Sequence, residues 1–222
     1  ATCRSTGKTH TLATSLVYVF KGSRCRKSRF FAQYSRVFGP IFRLSQKKLK
    51  IDSMSDTVSK HRENAPASAS FAVLTLSDTR TIETDVGGAT IIDLAVAAGH
   101  QILERQIIPD DSALLTDQLM RLIKEPNVDA ILVTGGTGIS HRDQTYETIS
   151  ALLTRPLPGY GELFRHLSFH EIGPAAMLSR TLGGVIDETL LLTMPGSPAA
   201  VRLAMEKLIL PEIGHLLAEI RR

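Results

Sequence analysis

Short apolar runs alternate with helical patterns through the second half of the chain, and this alternation limits the fold more than any other feature. Phe71–Leu76 (FAVLTL) and Val128–Thr134 (VDAILVT) have the continuous apolar character of strands that are buried on both faces. Gln101–Ile108 is predicted to be a further strand between them. Strands separated by helices at this spacing form a mostly parallel sheet with helices on both faces. We therefore predict a three-layer α/β fold.

Helices are predicted between and after these strands, and two more strand-like runs, Thr181–Ile186 and Thr189–Met194, flank a turn near the end of the chain. The predicted helices begin near Gly88, Asp111, Gln144, Gly161 and Pro198. The last of them has Ser197 as its expected N-cap and a proline in its first turn. No repeat or second domain is evident from the sequence.

Ligands of open α/β sheets bind beyond the carboxyl ends of the strands. In this chain that rule selects the loops 77–88, 109–112, 134–143 and 194–198. The most informative is 134–143, which begins with TGGTG directly after a buried strand. Its glycines allow backbone N–H groups to approach an anion, and the following helix adds a partial charge of about +0.5. A turn needed only for packing is the alternative, and the position after a buried strand favours anion binding.

Carboxylates lie beside two of these loops. Asp143 follows the glycine loop, and Asp110 and Asp111 follow the second predicted strand. Each of them could simply cap the helix that comes next, and for each aspartate alone capping is the simpler interpretation. A carboxylate beside a phosphate-binding loop otherwise requires a bridging cation, and Mg²⁺ prefers one or two carboxylates together with phosphate oxygens.

Charge divides the chain into two regions. Residues 1–51 contain 12 of the 26 basic residues and none of the 22 acidic ones, so residues 52–222 have a net charge of −8. The overall positive charge is therefore no argument for nucleic-acid binding. Both cysteines, Cys3 and Cys25, lie in the basic region. This excludes a disulfide, a cysteine-ligated metal and a thiol nucleophile from residues 52–222.

The basic region has three interpretations. It resembles an Arg- and Ser-rich transit peptide, it could be a positive tail for nucleic acid or acidic lipid, or it is translated upstream sequence preceding a start at Met54. Its longest apolar run, Leu12–Phe20, is too short for a membrane span, which needs roughly 20 residues. We favour upstream sequence, and we expect residues 1–65 to be a disordered extension of a domain at 66–222. A cytoplasmic location follows, or an organellar one if residues 1–53 are a transit peptide.

Several short segments, taken together, resemble the MoaB/MogA family of molybdenum-cofactor biosynthesis proteins. In order along the chain they are TLSDTR (75–80), IPDD (108–111), TGGTGISHRDQT (134–145), GYGELFR (159–165), LSFHEIG (167–173), LSR (178–180) and MPGSPAA (194–200). The resemblance covers about residues 70–220, and LSFHEIG and GYGELFR are closer to the MoaB branch than to MogA.

The resemblance implies an α/β protein that binds molybdopterin and adenylylates it with Mg-ATP. Asp110 and Asp143 match the two important aspartates of the family, which would act in catalysis and hold Mg²⁺. The glycine loop, with Arg142 available to a phosphate, matches the pterin-binding loop. The implied cofactor-binding residues are Ser77, Asp78, Thr134, Gly135, Gly136, Thr137, Gly138, Arg142, Glu162, Ser179, Arg180, Gly196 and Ser197.

The resemblance also implies a homotrimer or homohexamer that works with other molybdenum-cofactor enzymes, and no nucleic-acid or membrane partner. The apolar segment Leu163–Leu178 is either part of the core or a subunit interface. Two other functions remain open: a non-catalytic pterin-binding or assembly protein, and a nucleotide pyrophosphatase.

We predict that removing residues 1–53 leaves the remaining chain folded, because the composition changes abruptly before the first predicted strand. Thermal denaturation of the full chain and of residues 54–222 should give cooperative transitions within a few degrees of each other. A shortened chain without a cooperative transition would contradict the prediction.

Overall fold

The structure, a computed structural model, describes residues 65–222. The expected disordered extension therefore lies, apart from Ala65, outside the described residues. None of the helices in the described part combines the length and the apolar character needed to cross a bilayer.

A six-stranded sheet forms the centre of the domain, in the order β2-β1-β3-β6-β5-β4. The strands are β1 (Ser70–Leu76), β2 (Gln101–Ile108), β3 (Ala130–Thr134), β4 (Arg155–Pro156), β5 (Gly183–Ile186) and β6 (Thr189–Met194). The first four strands in the spatial order are parallel to one another. β5 then pairs antiparallel with β6, and β4 pairs antiparallel with β5. The predicted, mostly parallel sheet is confirmed.

Helices cover both faces of this sheet, which confirms the three layers. They are α1 (Val86–Ala97), α2 (Ser112–Ile123), α3 (Thr145–Leu152), α4 (Pro158–Ile172), a 3-10 helix (Gly173–Leu178), α5 (Pro198–Ala204), a π-helical turn (Met205–Ile209) and α6 (Leu210–Ile220). Helices α1, α4, α5 and α6 pack on one face, and α2 and α3 pack on the other.

Alternate residues of the central strands supply the two cores. Phe71 and Val73 face α1 and the C-terminal helices, whereas Ala72 and Leu74 face α2 and α3. All four side chains are fully buried. Because β1 is buried on both faces, its sequence is a continuous apolar run and does not alternate between apolar and polar residues.

The helix caps correct two expectations. Ser197 caps α5 as predicted, since its Oγ accepts a hydrogen bond from Ala200 N at 3.3 Å. Asp111 caps α2. Asp143 does not cap α3, because that helix begins at Thr145, and Asp143 Oδ2 instead accepts from the N–H of Ser140 at 2.8 Å. Asp110 caps nothing either, so the carboxylates of Asp110 and Asp143 are both left for another role.

The two outer strands of the sheet differ in length and exposure. β4 has only two residues, one of them Pro156, and the sequence showed no pattern that would have predicted it. β2 has eight residues and is partly exposed along its length. Two of its charged side chains form ion pairs with neighbouring elements, Glu104 with Arg121 and Arg105 with Asp85.

Candidate functional site at the carboxyl edge of the sheet

The three central parallel strands end side by side. Thr75 in β1 pairs with Thr134 in β3, and Thr134 pairs with Met194 in β6. The loops after these strands must therefore meet at one edge. The chain also runs outward from β1 to β2 before returning to β3 on the other side, which makes this edge a topological switch point, where ligands of such sheets bind.

A cleft of about 480 Å³ opens at this edge, bordered by the end of α4 and by the 3-10 helix. Nine of the site residues expected from the sequence line it: Ser77, Gly135, Gly136, Thr137, Gly138, Asp143, Ser179, Gly196 and Ser197. The structure thus brings together three of the four loops that the strand-end rule selected.

Two glycines of the loop have backbone conformations and close contacts that a side chain would disturb. Gly135 and Gly136 have φ angles of 107° and 61°. A Cβ on Gly135 would lie 2.4 Å from the carbonyl oxygen of Leu76, and one on Gly136 would lie 2.0 Å from Thr145 Oγ1. Only glycine fits these positions without strain, because a side chain would collide with the end of β1 or with Thr145.

Asp110 reaches the same loop from the end of β2. The Cβ position of Gly136 lies 2.9 Å from Asp110 Oδ1, beside the buried hydroxyl of Thr145, which has no hydrogen-bond partner in the described part of the chain. The pKa of the Asp110 carboxyl is raised because the group is partly buried and because Asp143 adds a second negative charge. Two mutually repelling carboxylates and an unpaired hydroxyl beside a glycine loop are suited to a bridging cation.

No group of three or more His, Cys, Asp or Glu side chains among residues 65–222 could hold a metal by itself. Asp110 and Asp143 are two carboxylates and not such a group. Mg²⁺ is typically bound by one or two carboxylates together with substrate phosphates and water.

Asp78 links the loops that carry these carboxylates. Its Oδ1 accepts a hydrogen bond from Asp110 N at 3.3 Å, and its Oδ2 forms an ion pair with the exposed Arg142. The hydroxyl of Ser77 accepts hydrogen bonds from Thr79 N–H at 3.3 Å and from Arg80 N–H at 3.1 Å. Ser77, Asp78 and Arg142 therefore hold the loops in place in the unliganded protein.

Arg180 has a similar supporting contact. Its Nε donates to the carbonyl oxygen of Gly138 at 2.6 Å, and its terminal nitrogens contact the carbonyl oxygen of Asp143 and the carboxylate of Glu147. Thr134 is fully buried, and its Oγ1 donates to the carbonyl oxygen of Pro195 at 3.2 Å. These residues fix the shape of the glycine loop.

Glu162 is the one expected site residue that lies clearly elsewhere. It lines a separate cavity of about 260 Å³ together with Arg165 and Tyr146, and it does not border the main cleft. The sequence placed it by motif alone. Helix α4 begins at Pro158, three residues earlier than predicted. It borders the main cleft with Phe164, Ser168 and Ile172, which share one face at a spacing of four residues that does not include Glu162.

Three residues of the site were missed from the sequence: Arg80, Asp85 and Thr145. Arg80 lines the cleft, and Asp85 is only 1% exposed beneath it. Burial alone would raise the pKa of Asp85, but hydrogen bonds from Gly88 N–H, the Thr75 hydroxyl and Arg105 outweigh it and the pKa is lowered. Asp85 is therefore ionised. A buried carboxylate with partners on two strands leaves no periodic signal in the sequence.

Comparison with known proteins agrees with this geometry. Residues 72–215 match the family described as a probable molybdopterin binding domain. The Molybdenum cofactor biosynthesis protein B of Halalkalibacterium halodurans is 47% identical over 165 residues, which cover 74% of this chain and 97% of the relative.

Solved structures show the same fold. A crystal structure of Molybdenum cofactor biosynthesis protein B superimposes with a TM-score of 0.69 at 46% identity, covering 71% of this chain and 99% of the other. The tungsten cofactor synthesizing protein MoaB from Pyrococcus furiosus gives a TM-score of 0.65 at 34% identity, covering 71% and 100%. With the cleft at its expected place and these similarities, the chain belongs to the MoaB/MogA family of molybdenum-cofactor biosynthesis proteins and lies closer to its MoaB branch.

Proposed function

We propose that the chain binds molybdopterin in the cleft and transfers AMP to it from Mg-ATP. The observation that carries this proposal is the pairing of Asp110 and Asp143, two carboxylates without a capping role, beside a glycine loop that lines the cleft. A loop of this kind binds phosphate, and adjacent carboxylates bind the cation that accompanies a nucleotide.

The transfer requires in-line positioning of two phosphate groups. An oxygen of the terminal phosphate of molybdopterin forms a bond to the α-phosphorus of ATP, and the bond between that phosphorus and the bridging oxygen to the β-phosphate breaks. The leaving group is pyrophosphate. The N–H of Gly135 donates to the carbonyl oxygen of Met194 at 3.1 Å, so the backbone N–H groups that follow it in the loop would hold and orient a phosphate. Asp110 and Asp143 would hold Mg²⁺, which neutralises phosphate charge when bound. Positioning and electrostatics supply most of the catalysis in such reactions.

Asp143→Asn should lower the rate of pyrophosphate release by at least about 100-fold, the usual effect of removing one charge-stabilising group from an active site. Folding should be kept, because an amide oxygen can still accept the hydrogen bond from Ser140 N–H. The measurement is pyrophosphate release with molybdopterin and Mg-ATP, and Asp117→Asn, on the exposed surface of α2, is the matched control.

Three other results would change the assignment. Wild-type turnover in Asp143→Asn would remove the metal role. Tight molybdopterin binding by the wild-type chain without pyrophosphate release would identify a binding or assembly protein. Hydrolysis of a dinucleotide in the absence of pterin would identify a nucleotide pyrophosphatase.

Asp110→Asn should raise the thermal stability of the unliganded protein at neutral pH. Folding raises the pKa of the Asp110 carboxyl, so its ionised form destabilises the folded state at pH values above the pKa that it has in the unfolded chain. This destabilisation disappears as the pH falls and the carboxyl binds a proton. The gain in Tm should therefore shrink between neutral and acidic pH. Asp111→Asn is the control, since asparagine caps a helix about as well as aspartate. Equal Tm values for Asp110→Asn and wild type at pH 7 would contradict the prediction.

We also propose that the chain forms a closed homo-oligomer, a trimer or a dimer of trimers. Phe164 is buried and belongs to the core, but most other apolar side chains of Leu163–Leu178 are more than half exposed. The exposed apolar patch on α4 and the 3-10 helix consists of Leu163, Phe169, Ile172, Met177 and Leu178. Exposed apolar surface of this kind marks an interaction site.

Light scattering coupled to size-exclusion chromatography should give a mass of three or six chains at micromolar concentration. Phe169→Glu should shift the mass toward the monomer, because it places a charge in the apolar patch. Val96→Glu, at an exposed position on α1 outside the patch, should leave the mass unchanged. A monomeric wild-type chain would refute the proposal.

A further inference from the structure

Arg80 is the basic side chain that reaches the cleft from the loop after β1. One of its N–H groups donates to the carbonyl oxygen of Gly196 at 3.0 Å, and its Nη1 lies 3.8 Å from Asp85 Oδ1. These two contacts fix the guanidinium although a third of the side chain is exposed. An arginine held in this way has lost its conformational freedom before any ligand arrives.

The guanidinium borders the glycines of the site directly. The Cβ position of Gly196 lies 3.3 Å from Arg80 Nη1 and 3.6 Å from the Cα atom of Gly135. Even a single carbon on Gly196 would press against Arg80, so glycine at this position is what allows the guanidinium to lie against the turn after β6. Arg80, Gly135 and Gly196 all line the cleft.

The positive charge of Arg80 is only partly compensated. The carboxylate of Asp85 lies closer to Arg105, whose Nη2 is 3.1 Å away, and it also accepts hydrogen bonds from the Thr75 hydroxyl and from Gly88 N–H. Glu83 adds a second negative charge near Arg105 and not near Arg80. Arg80 is the more distant of the two arginines from Asp85 and the one that lines the cleft. An anion is the ligand that this arrangement favours.

We propose that Arg80 binds a phosphate group of the substrate in the part of the cleft that it lines together with Gly135 and Gly196. Asp85 is its positioning residue, and the site rests on the function proposed above. The cation that Asp110 and Asp143 would hold repels a guanidinium, so the two positive groups bind different phosphate oxygens, either of one phosphate group or of two.

The test measures binding by isothermal titration calorimetry with the full-length chain, using inorganic pyrophosphate, ATP with Mg²⁺, and molybdopterin in separate titrations. Arg80→Gln should weaken binding of the phosphate ligand at this subsite by about 10- to 100-fold, the range expected for loss of a charge-assisted contact. Arg80→Lys should recover part of the affinity, because it restores the charge without the fork. Whether ATP or molybdopterin is the weakened ligand tells which of them supplies the phosphate.

Arg105→Gln is the matched control. Arg105 contacts the same carboxylate but does not line the cleft, so its loss should lower the Tm and leave the affinities within about threefold, since an isolated effect on folding does not alter ligand contacts. Unchanged affinities in Arg80→Gln for all three ligands, or equal losses in Arg80→Gln and Arg105→Gln, would overturn the proposal. Wild-type binding that depends on Arg80 without any AMP transfer would overturn the adenylylation and keep the subsite. A wild-type chain that binds none of the three would overturn both.

Discussion

The register of three neighbouring parallel strands determines where everything else in this domain can lie. Because β1, β3 and β6 are hydrogen-bonded so that their last residues come level, the three following loops have a common origin at one edge. Burial on both faces fixes that register, since a slip by one residue would exchange the side chains of the two cores. Residues that are more than 100 positions apart, such as Arg80 and Gly196, consequently meet.

The fold could be predicted largely from the sequence, because its information is local. The predicted strand Val128–Thr134 contains the apolar run Ala130–Val133, and Gly135 and Gly136 follow it, so both the strand and the loop are evident. The sequence was less accurate on the residues at which each strand or helix begins and ends. β3 starts at Ala130, two residues later than predicted, where the Asp129 carboxylate accepts a hydrogen bond from Ser70 N–H and ends the turn before the strand.

The site was less predictable because its contacts are not local. Asp110, Asp143 and the glycine loop were identified, but whether an aspartate caps a helix depends on a helix start that composition places only within two or three residues. No sequence pattern identified Arg80 and Asp85 as site residues, because their contacts are with distant parts of the chain. Asp85 pairs with Arg105 in β2, and Arg80 donates a hydrogen bond to Gly196 in the loop after β6. Glu162 shows the reverse case: the motif predicted it in the site, and it lies on a different face of α4 from the residues that border the cleft.

The ends of the sheet have a consequence for aggregation. Pro156 forms half of β4 and has no N–H with which to continue a ladder, so a foreign strand finds little to pair with there. β2, at the opposite end, is a strand of full length with one side not paired to another strand. Within residues 65–222, misassembly by strand addition is therefore expected at β2, where the charged side chains of Glu104 and Arg105 disfavour an apolar partner strand.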